Sequence, residues 1–238
     1  IYLLYKISKT EIYITFKNKY LLPKFESIIE ISMQGIPASI GLMMIALGSY
    51  ILLYFVSYYG NDAIAGFSSA GRYEQLLFLP LLGLSTAVTA IVGQNMGAQK
   101  PERIIDTFKK AIVTGITLLS IVAFILFFTA EISMKLFTDD EEVIFYGAIY
   151  LKIWAFGFPA FPLFFISNAT FQGLKKAIIV MYMAILRFVL IPIIIINLIN
   201  NFIKINYIYM FIGLVFMHWI VGISYYYYAI NKIKKIIT

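Results

Sequence analysis

An uncharged run of 25 residues, from Gln75 to Gln99, places the strongest constraint on what this chain can fold into. At 1.5 Å per residue such a run forms about 37 Å of helix, enough to cross the roughly 30 Å hydrocarbon core of a bilayer. Charged residues stand on both sides of it, with Arg72 and Glu74 before it and Lys100 after it. The sequence therefore predicts a membrane span at this position.

The composition of the whole chain agrees with a membrane location. Hydrophobic residues make up 61% of it and charged residues 13%, whereas about a quarter of the residues in soluble domains are charged. We predict an all-α, polytopic membrane protein with six transmembrane helices. The predicted spans cover about residues 34–59, 68–95, 111–130, the turn at 138–141 to 174, 177–203 and 205–231.

Local signals predict where these helices bend or begin. Pro80 is expected to bend the second span, and Gly157, Pro159 and Pro162 are expected to break the fourth. An interfacial helix that starts at Pro101 is expected to lead into the third span. The acidic turn before the fourth span has the form of a capping box, which we interpret as a solvated helix start rather than a cation site. Its residues are Thr138, Asp139, Asp140, Glu141 and Glu142.

The placement of Lys and Arg tests the number of spans. With six spans, fourteen of these residues fall on one side, in the segments 1–30, 100–110, 175–176 and 232–235, and two fall on the other. Basic loops stay in the cytoplasm, so both termini are expected there. We expect residues 1–30 to be a basic cytoplasmic linker, with the short apolar opening IYLLY as the tail of a preceding helix. Residues 31–231 are the expected six-span lobe, and 232–238 a cytoplasmic tail.

The end of the second span carries the most specific motif in the chain, GQNMGAQKPER. It contains Gly93, Gln94, Asn95, Gly97, Ala98, Pro101, Glu102 and Arg103. This segment resembles the GQN-x-GA-x-KPER sequence of the multidrug and toxic compound extrusion (MATE) transporters, which follows the second span of each six-span half. Gly35-Ile36-Pro37-Ala38 resembles the start of that family's seventh helix, and Arg187 with Pro192 suits its eleventh. Gly93 and Gly97 also have the spacing that lets membrane helices approach closely.

The resemblance extends over about residues 20–235, whereas full members of the family have twelve spans. It implies that this chain is the C-terminal lobe of a MATE-like antiporter in the bacterial plasma (inner) membrane, with an N-terminal six-helix lobe as its partner. It further implies extrusion of cationic or amphipathic organic compounds, powered by a proton or sodium gradient. Two positions that are acidic in the family's sodium-coupled branch are Ile45 and Phe161 here. The coupling ion, H⁺ or Na⁺, is therefore expected to bind mainly outside this chain.

Glu74 is the best local candidate for contact with a cationic substrate or a proton. It is the only carboxylate within reach of a span's interior, where ionisable side chains default to function. Arg72, near the outer boundary, points in a different direction around the helix, so the two residues cannot be simple partners. Polar side chains expected to line the same cavity as Glu74 and Arg72 are Gln34, Asn168, Thr170 and Gln172.

Other kinds of function are excluded or weakly indicated. The single histidine, His218, lies mid-span beside Trp219 and is interpreted as a packed side chain rather than a proton carrier. The absence of Cys excludes thiol catalysis and Cys-ligated zinc, and the motif lacks the Gly-Lys-Ser/Thr ending of a phosphate loop. We expect no catalytic residue, no metal site and no cofactor. Lys and Arg do not form one solvated face, so no nucleic acid partner is expected.

Two alternative functions stay open. A lipid-linked oligosaccharide flippase of the same superfamily would need a basic cavity, and the cations within spans are Arg72, Lys152 and Arg187. A non-transporting membrane scaffold subunit would show no substrate-dependent change in stability.

Overall fold

A computed structural model of the chain describes residues 24–202 and 206–237, with side chains for 24–198 and 206–236. Helices account for almost all of these residues. In chain order they are α1 (Phe25–Val56), α2 (Asn61–Gly97), α3 (Pro101–Lys135), α4 (Glu141–Ala155), α5 (Phe161–Gly173), α6 (Ala177–Ile185), α7 (Ile191–Phe202) and α8 (Tyr207–Ile237). Short 3₁₀ turns cover Ser57–Tyr59 and Phe158–Ala160, and a π-helical turn, Leu186–Leu190, joins α6 to α7.

Five helical stretches of the described chain are long and apolar enough to cross a bilayer. They are Phe25–Tyr59, Asn61–Gly97, Pro101–Lys135, Ala177–Leu198 and Tyr207–Ile236. The helices α4 and α5 form a sixth span when they are taken together as a broken pair, bent by 45°. The predicted fold class, all-α and polytopic with six membrane helices, is therefore confirmed.

Helix α1 begins nine residues before the predicted start of the first span. It includes residues 25–30, which the sequence assigned to the basic linker. Residues 1–23 of that linker, including IYLLY, lie outside the described residues.

Helices α3 and α8 are longer than the predicted spans, because their apolar faces continue beyond them. The structure does not separate an interfacial helix from the third span, because Ile104 and Phe108 are buried and continue the packed face of α3. Ile233 is likewise fully buried, so α8 runs through most of the expected tail to Ile237. Helix α2 continues through Pro80 without interruption.

The fourth span shows one confirmed and one corrected prediction. The break expected around Gly157 and Pro159 is present, since α4 ends at Ala155 and α5 begins at Phe161 after a 3₁₀ turn. The capping residue, however, is Asp140 rather than Thr138. Asp140 Oδ1 accepts hydrogen bonds from the backbone N–H groups of Glu142 and Val143, at 3.0 and 3.3 Å. The Thr138 hydroxyl instead accepts from the Asp140 N–H at 3.2 Å, which fixes the turn before the cap.

The fifth span contains a π-helical turn whose cause is visible in the sequence. Pro192 has no N–H, and its ring would clash with the Phe188 carbonyl four residues earlier in a regular α-helix. The backbone widens here, so that the Ile191 N–H donates to the Leu186 carbonyl five residues back. Gly48 of α1 accommodates the displaced turn: a methyl group there would lie 2.7 Å from the Phe188 carbonyl oxygen.

The helices pack as two connected groups. Helix α2 lies against α3, α4 and α5, while α5 and α4 also contact α8. Helix α1 packs mainly along α6 and the π-helical turn, and makes few contacts with α2. Large apolar side chains on α1 remain exposed, among them Leu42, Met43, Tyr50 and Tyr54. The core is formed mainly by α2, α3, α4 and α5, and the candidate site lies between α2 and α4.

Candidate functional site

The carboxylate of Glu74 joins α2 to α4. Its Oε2 accepts a 2.5 Å hydrogen bond from the Tyr150 hydroxyl, and its Oε1 accepts a 2.8 Å hydrogen bond from the Trp154 indole Nε1. Tyr150 and Trp154 are four residues apart, so they present both donors on one face of α4. Each carboxylate oxygen thus has a neutral donor. Arg72 is exposed and is not the partner of Glu74, as the sequence predicts.

A close crossing of α2 and α4 sets the position of this group. Gly66 lies on α2 about two turns before Glu74, and a methyl group there would lie 2.7 Å from the Val143 carbonyl oxygen and 2.8 Å from the Gly147 nitrogen. Small residues allow two helix backbones to approach in this way. The short distance between the backbones brings Glu74 within reach of the α4 donors.

Aromatic rings surround the Glu74 hydrogen bonds. The ring of Trp154 lies 6.0 Å from that of Tyr150 and 5.9 Å from that of Phe161. Phe78, one turn after Glu74 on α2, packs edge-on against Phe161 with a ring separation of 4.4 Å. A single carboxylate among aromatic rings suits a flat organic cation, which gains from charge attraction and from contact with ring faces.

Gln34 and Gln172, predicted to line a cavity with Glu74, lie elsewhere. They line a cavity of about 600 Å³ between α1 and the α5–α6 turn, whose lining does not include Glu74. Lys175 Nζ lies 2.6 Å from Glu30 Oε1 across this cavity, and Gln34 Oε1 accepts a 3.4 Å hydrogen bond from the Ala177 N–H. These contacts attach the start of α1 to the α5–α6 turn.

Asn168 and Thr170 are buried between helices and do not line a cavity with Glu74 either. Asn168 Oδ1 accepts a 2.8 Å hydrogen bond from the Tyr225 hydroxyl of α8, and the Thr170 hydroxyl donates to the Ile166 carbonyl at 2.9 Å. Within the described residues, these four side chains are therefore not brought together with Glu74. Polarity alone could not separate side chains that line space from those that connect packed helices.

The GQNMGAQKPER motif forms the turn between α2 and α3. The Lys100 N–H donates to the Asn95 carbonyl at 2.9 Å and the Gln99 N–H to the Met96 carbonyl at 3.2 Å, with Gln99 in a left-handed conformation at φ 53°. This is a Schellman helix end, and Pro101 is the first residue of the next helix. Gly97 has open space where a side chain would lie.

The other motif residues are placed around this turn. Gly93 faces the Gly173 carbonyl of α5, 3.7 Å from where a methyl group would lie. Asn95 Nδ2 donates back to the Ile91 carbonyl at 2.8 Å. The motif residues on the exposed surface are Gln94, Gly97, Ala98, Pro101, Glu102 and Arg103.

A second charged group inside the fold was only partly recognised in the sequence. Arg187 lies in the π-helical turn with 5% of its surface exposed, and its Nη2 contacts both ring nitrogens of His218 on α8. The guanidinium also lies over the ring of Phe164, 4.1 Å from its centroid. His218 is buried, as expected for a packed side chain. Its pairing with Arg187 could not be predicted, because the two residues are 31 positions apart and no periodic pattern links them.

The fold and the apolar composition define an integral membrane protein with six helical spans. Comparison with known proteins identifies its family. The MatE family model matches residues 37–199, which is more than half of the chain. The chain therefore belongs to the MATE family.

Relatives within this family are multidrug resistance and export proteins. The probable multidrug resistance protein YpnP of Bacillus subtilis is 24% identical over 167 residues, which cover 70% of this chain and 38% of YpnP. The multidrug export protein MepA of Staphylococcus aureus is 31% identical over 136 residues, which cover 57% of this chain and 30% of MepA. The matched segments thus cover less than two fifths of either relative.

A solved structure of the family shares the fold. It is described as the outward-facing conformation of a multidrug resistance MATE family transporter of the MOP superfamily. It superposes with a TM-score of 0.90 at 20% identity, covering 99% of this chain and 52% of that structure. The fold of the chain therefore matches about half of a complete transporter.

Proposed function

We propose that this chain is the C-terminal lobe of a secondary active antiporter that extrudes cationic or amphipathic organic compounds and works with an N-terminal six-helix lobe. The observation that carries the proposal is Glu74, the one carboxylate placed in the middle of a span among the described residues. Both of its oxygens accept hydrogen bonds from α4, so the position of its negative charge is fixed. The multidrug names of the relatives support the substrate class.

The proposed site recognises charge and flatness together. Burial among aromatic rings lowers the local dielectric, which strengthens the attraction between a carboxylate and a substrate cation. Tyr150 and Trp154 add polarisable surfaces on which a flat cation can rest. Their hydroxyl and indole N–H groups compensate the carboxylate when no cation is present. Binding and release then exchange one set of interactions for another and leave no buried charge without a partner.

Coupling to H⁺ or Na⁺ is proposed to rest mainly on the N-terminal lobe. Ile45 and Phe161 occupy the positions that are acidic in the sodium-coupled branch, and Phe161 is buried against Phe78 and Trp154. Carboxylates of the described residues other than Glu74 lie within about two turns of a helix end or in a turn. A group that changes charge within the membrane is needed for coupling. Glu74 alone could supply one here, and we assign it to the substrate.

The cations of this chain favour neither alternative function. A flippase for a lipid pyrophosphate needs basic side chains that converge on one cavity. Arg72 is exposed on α2, Lys152 pairs with Glu131 at 2.6 Å, and Arg187 contacts His218. These three groups lie in separate parts of the lobe and do not converge on one cavity. A scaffold role accounts for none of the Glu74 geometry.

The orientation of the lobe is part of the proposal, with both termini in the cytoplasm. The fourteen-to-two asymmetry of Lys and Arg supports it. Because the chain contains no Cys, single cysteines can be introduced and labelled cleanly. Cysteines at Gln99 and Lys232 should react with an impermeant reagent only from the cytoplasm, and one at Asp140 only from outside. Labelling of Gln99 and Asp140 from the same side would contradict the six-span arrangement.

The function itself is tested by Glu74→Gln in a full-length protein that carries this chain. We expect an altered range or affinity for cationic substrates, measured by dye binding and by efflux from proteoliposomes. Some gradient-driven transport of other substrates should remain. Glu131→Gln is the matched control, since Glu131 is exposed and paired with Lys152, and it should leave substrate affinity unchanged. Loss of all ion coupling in Glu74→Gln, with normal expression and substrate binding, would move the coupling site into this lobe and refute the assignment.

A further inference from the structure

Arg187 is a buried cation whose hydrogen-bonding capacity is only partly used. Its Nη2 contacts His218, while Nε and Nη1 have no hydrogen-bond partner although both are buried. Arginine has only donors and stays protonated in proteins. Nη2 contacts both ring nitrogens of His218, and only an unprotonated ring nitrogen can accept from it, so the imidazole is neutral in this contact. His218 stabilises one nitrogen and supplies no negative charge.

Three phenylalanine rings lie beside the guanidinium. The guanidinium carbon lies 5.3, 4.1 and 5.4 Å from the ring centroids of Phe161, Phe164 and Phe188. Ring faces attract a cation through their quadrupole. They offer no strong hydrogen-bond acceptor, and so leave the N–H groups of Nε and Nη1 unused.

Carboxylates of the described residues do not compensate this charge. Packed rings link Glu74 to this region, since Glu74 accepts from Trp154 and the Trp154 ring lies 5.5 Å from that of His218. Both oxygens of Glu74, however, are used by Tyr150 and Trp154. A buried charge without a counter-charge is strongly disfavoured. A small anion that accepts hydrogen bonds from the free guanidinium nitrogens would remove this penalty.

We propose that Arg187, held in the π-helical turn by His218 and three phenylalanine rings, is a binding site for a small monovalent anion. The ligand is a halide or a small carboxylate, since both accept hydrogen bonds from a guanidinium and carry one negative charge. The π-helical turn sets the direction of the Arg187 side chain. Pro192 and Gly48 displace the backbone there, and Arg187 points inward from the displaced turn toward α8.

Trp154 is a natural reporter for this site. This chain contains two tryptophans, so Trp219→Phe leaves Trp154 as the single emitter within it, next to the His218 ring. The purified variant in detergent is titrated with sodium chloride or sodium formate, with sodium gluconate keeping the ionic strength constant. We expect a saturable change in Trp154 emission with chloride and with formate, and none with gluconate, which is too large to enter. A response to chloride alone would assign a halide, and a response to formate alone a carboxylate.

Substitutions of charged residues test whether the anion response comes from Arg187. Arg187→Gln should weaken the apparent affinity by about tenfold or more, because a charge-assisted hydrogen bond is lost. Arg187→Lys keeps the charge and should retain a weaker response. Lys110→Gln is the matched control: Lys110 is an exposed cation paired with Asp106, and its replacement should change nothing.

A measurement on the unaltered protein covers the case in which Arg187→Gln does not fold. At constant ionic strength, chloride or formate should raise the melting temperature relative to gluconate, since a ligand that binds only the folded state stabilises it. A response that is linear in anion concentration, or unchanged in a folded Arg187→Gln variant, would overturn the proposal. Equal melting temperatures in all three salts would overturn it as well.

Discussion

Glu74 and Arg187 are both charged groups inside the helical core, but their surroundings differ. Glu74 has a neutral donor for each carboxylate oxygen, supplied by two residues one turn apart on a regular helix. Arg187 lies in a distorted turn, and two of its three nitrogens have no hydrogen-bond partner. Both carboxylate oxygens of Glu74 therefore have hydrogen-bond donors from this chain, whereas two guanidinium nitrogens of Arg187 have no acceptor.

This difference suggests different tasks for the two sites. A group that is fully satisfied at rest can exchange its partners for a substrate and take them back, which suits repeated binding and release. A buried cation without a counter-charge favours an anion that stays bound throughout the proposed transport cycle. The close crossing at Gly66 supports the first site, and the π-helical turn packed against Gly48 of α1 supports the second.

The largest expected effect comes from the α2–α4 crossing. Gly66→Ala places a methyl group against the backbone of Val143 and Gly147, which cannot move aside without separating the helices. We expect a loss of stability of about 3 kcal/mol, at the upper end for overpacking. Gly71→Ala is the control, because nothing lies within 4 Å of its side-chain position. It should gain up to about 1 kcal/mol from helix propensity. Thermal unfolding in detergent measures both, and equal effects would show that the crossing does not hold Glu74 in place.

A smaller effect is expected when one donor to Glu74 is removed. Tyr150→Phe keeps the ring but leaves Glu74 Oε2 without its hydrogen bond. The expected cost is about 1–2 kcal/mol, the lower part of the range for leaving a buried acceptor unsatisfied, because Glu74 is half-buried. Tyr146→Phe, one turn earlier on α4, is the control and should cost less. An unchanged unfolding temperature in Tyr150→Phe would mean that the carboxylate does not depend on its donors.

The smallest effect concerns the rings around Arg187. Phe164→Leu removes the closest aromatic face while keeping an apolar side chain of similar length. The cation loses a contact worth about 1 kcal/mol, in addition to the packing that Phe→Leu removes at any buried position. Phe171→Leu is the matched control, because Phe171 is as deeply buried on the same helix. If both variants unfold alike, the ring faces do not stabilise the guanidinium.

The sequence was sufficient to predict the helical spans and the place of the break in the fourth. Uncharged runs set by bilayer thickness are long and unambiguous, and Gly157 with Pro159 interrupts a helix for local reasons. The site was only half predicted. Glu74 can be recognised from the sequence alone, because it is the one acidic residue deep in a predicted span. Its partners, like the pairing of Arg187 with His218, depend on how distant helices cross, and that information is spread over many small packing residues such as Gly66.

Fluorescence of Trp154 tests most directly the central claim that Glu74 is a titratable carboxylate held by the α4 donors. In the Trp219→Phe background, Trp154 is the single tryptophan and donates its indole N–H to Glu74. Its emission should change when the pH is lowered far enough to protonate that carboxylate, since the acceptor loses its charge. Glu74→Gln should abolish this change, whereas Glu131→Gln should retain it. An identical pH response in the Glu74→Gln variant would contradict the account.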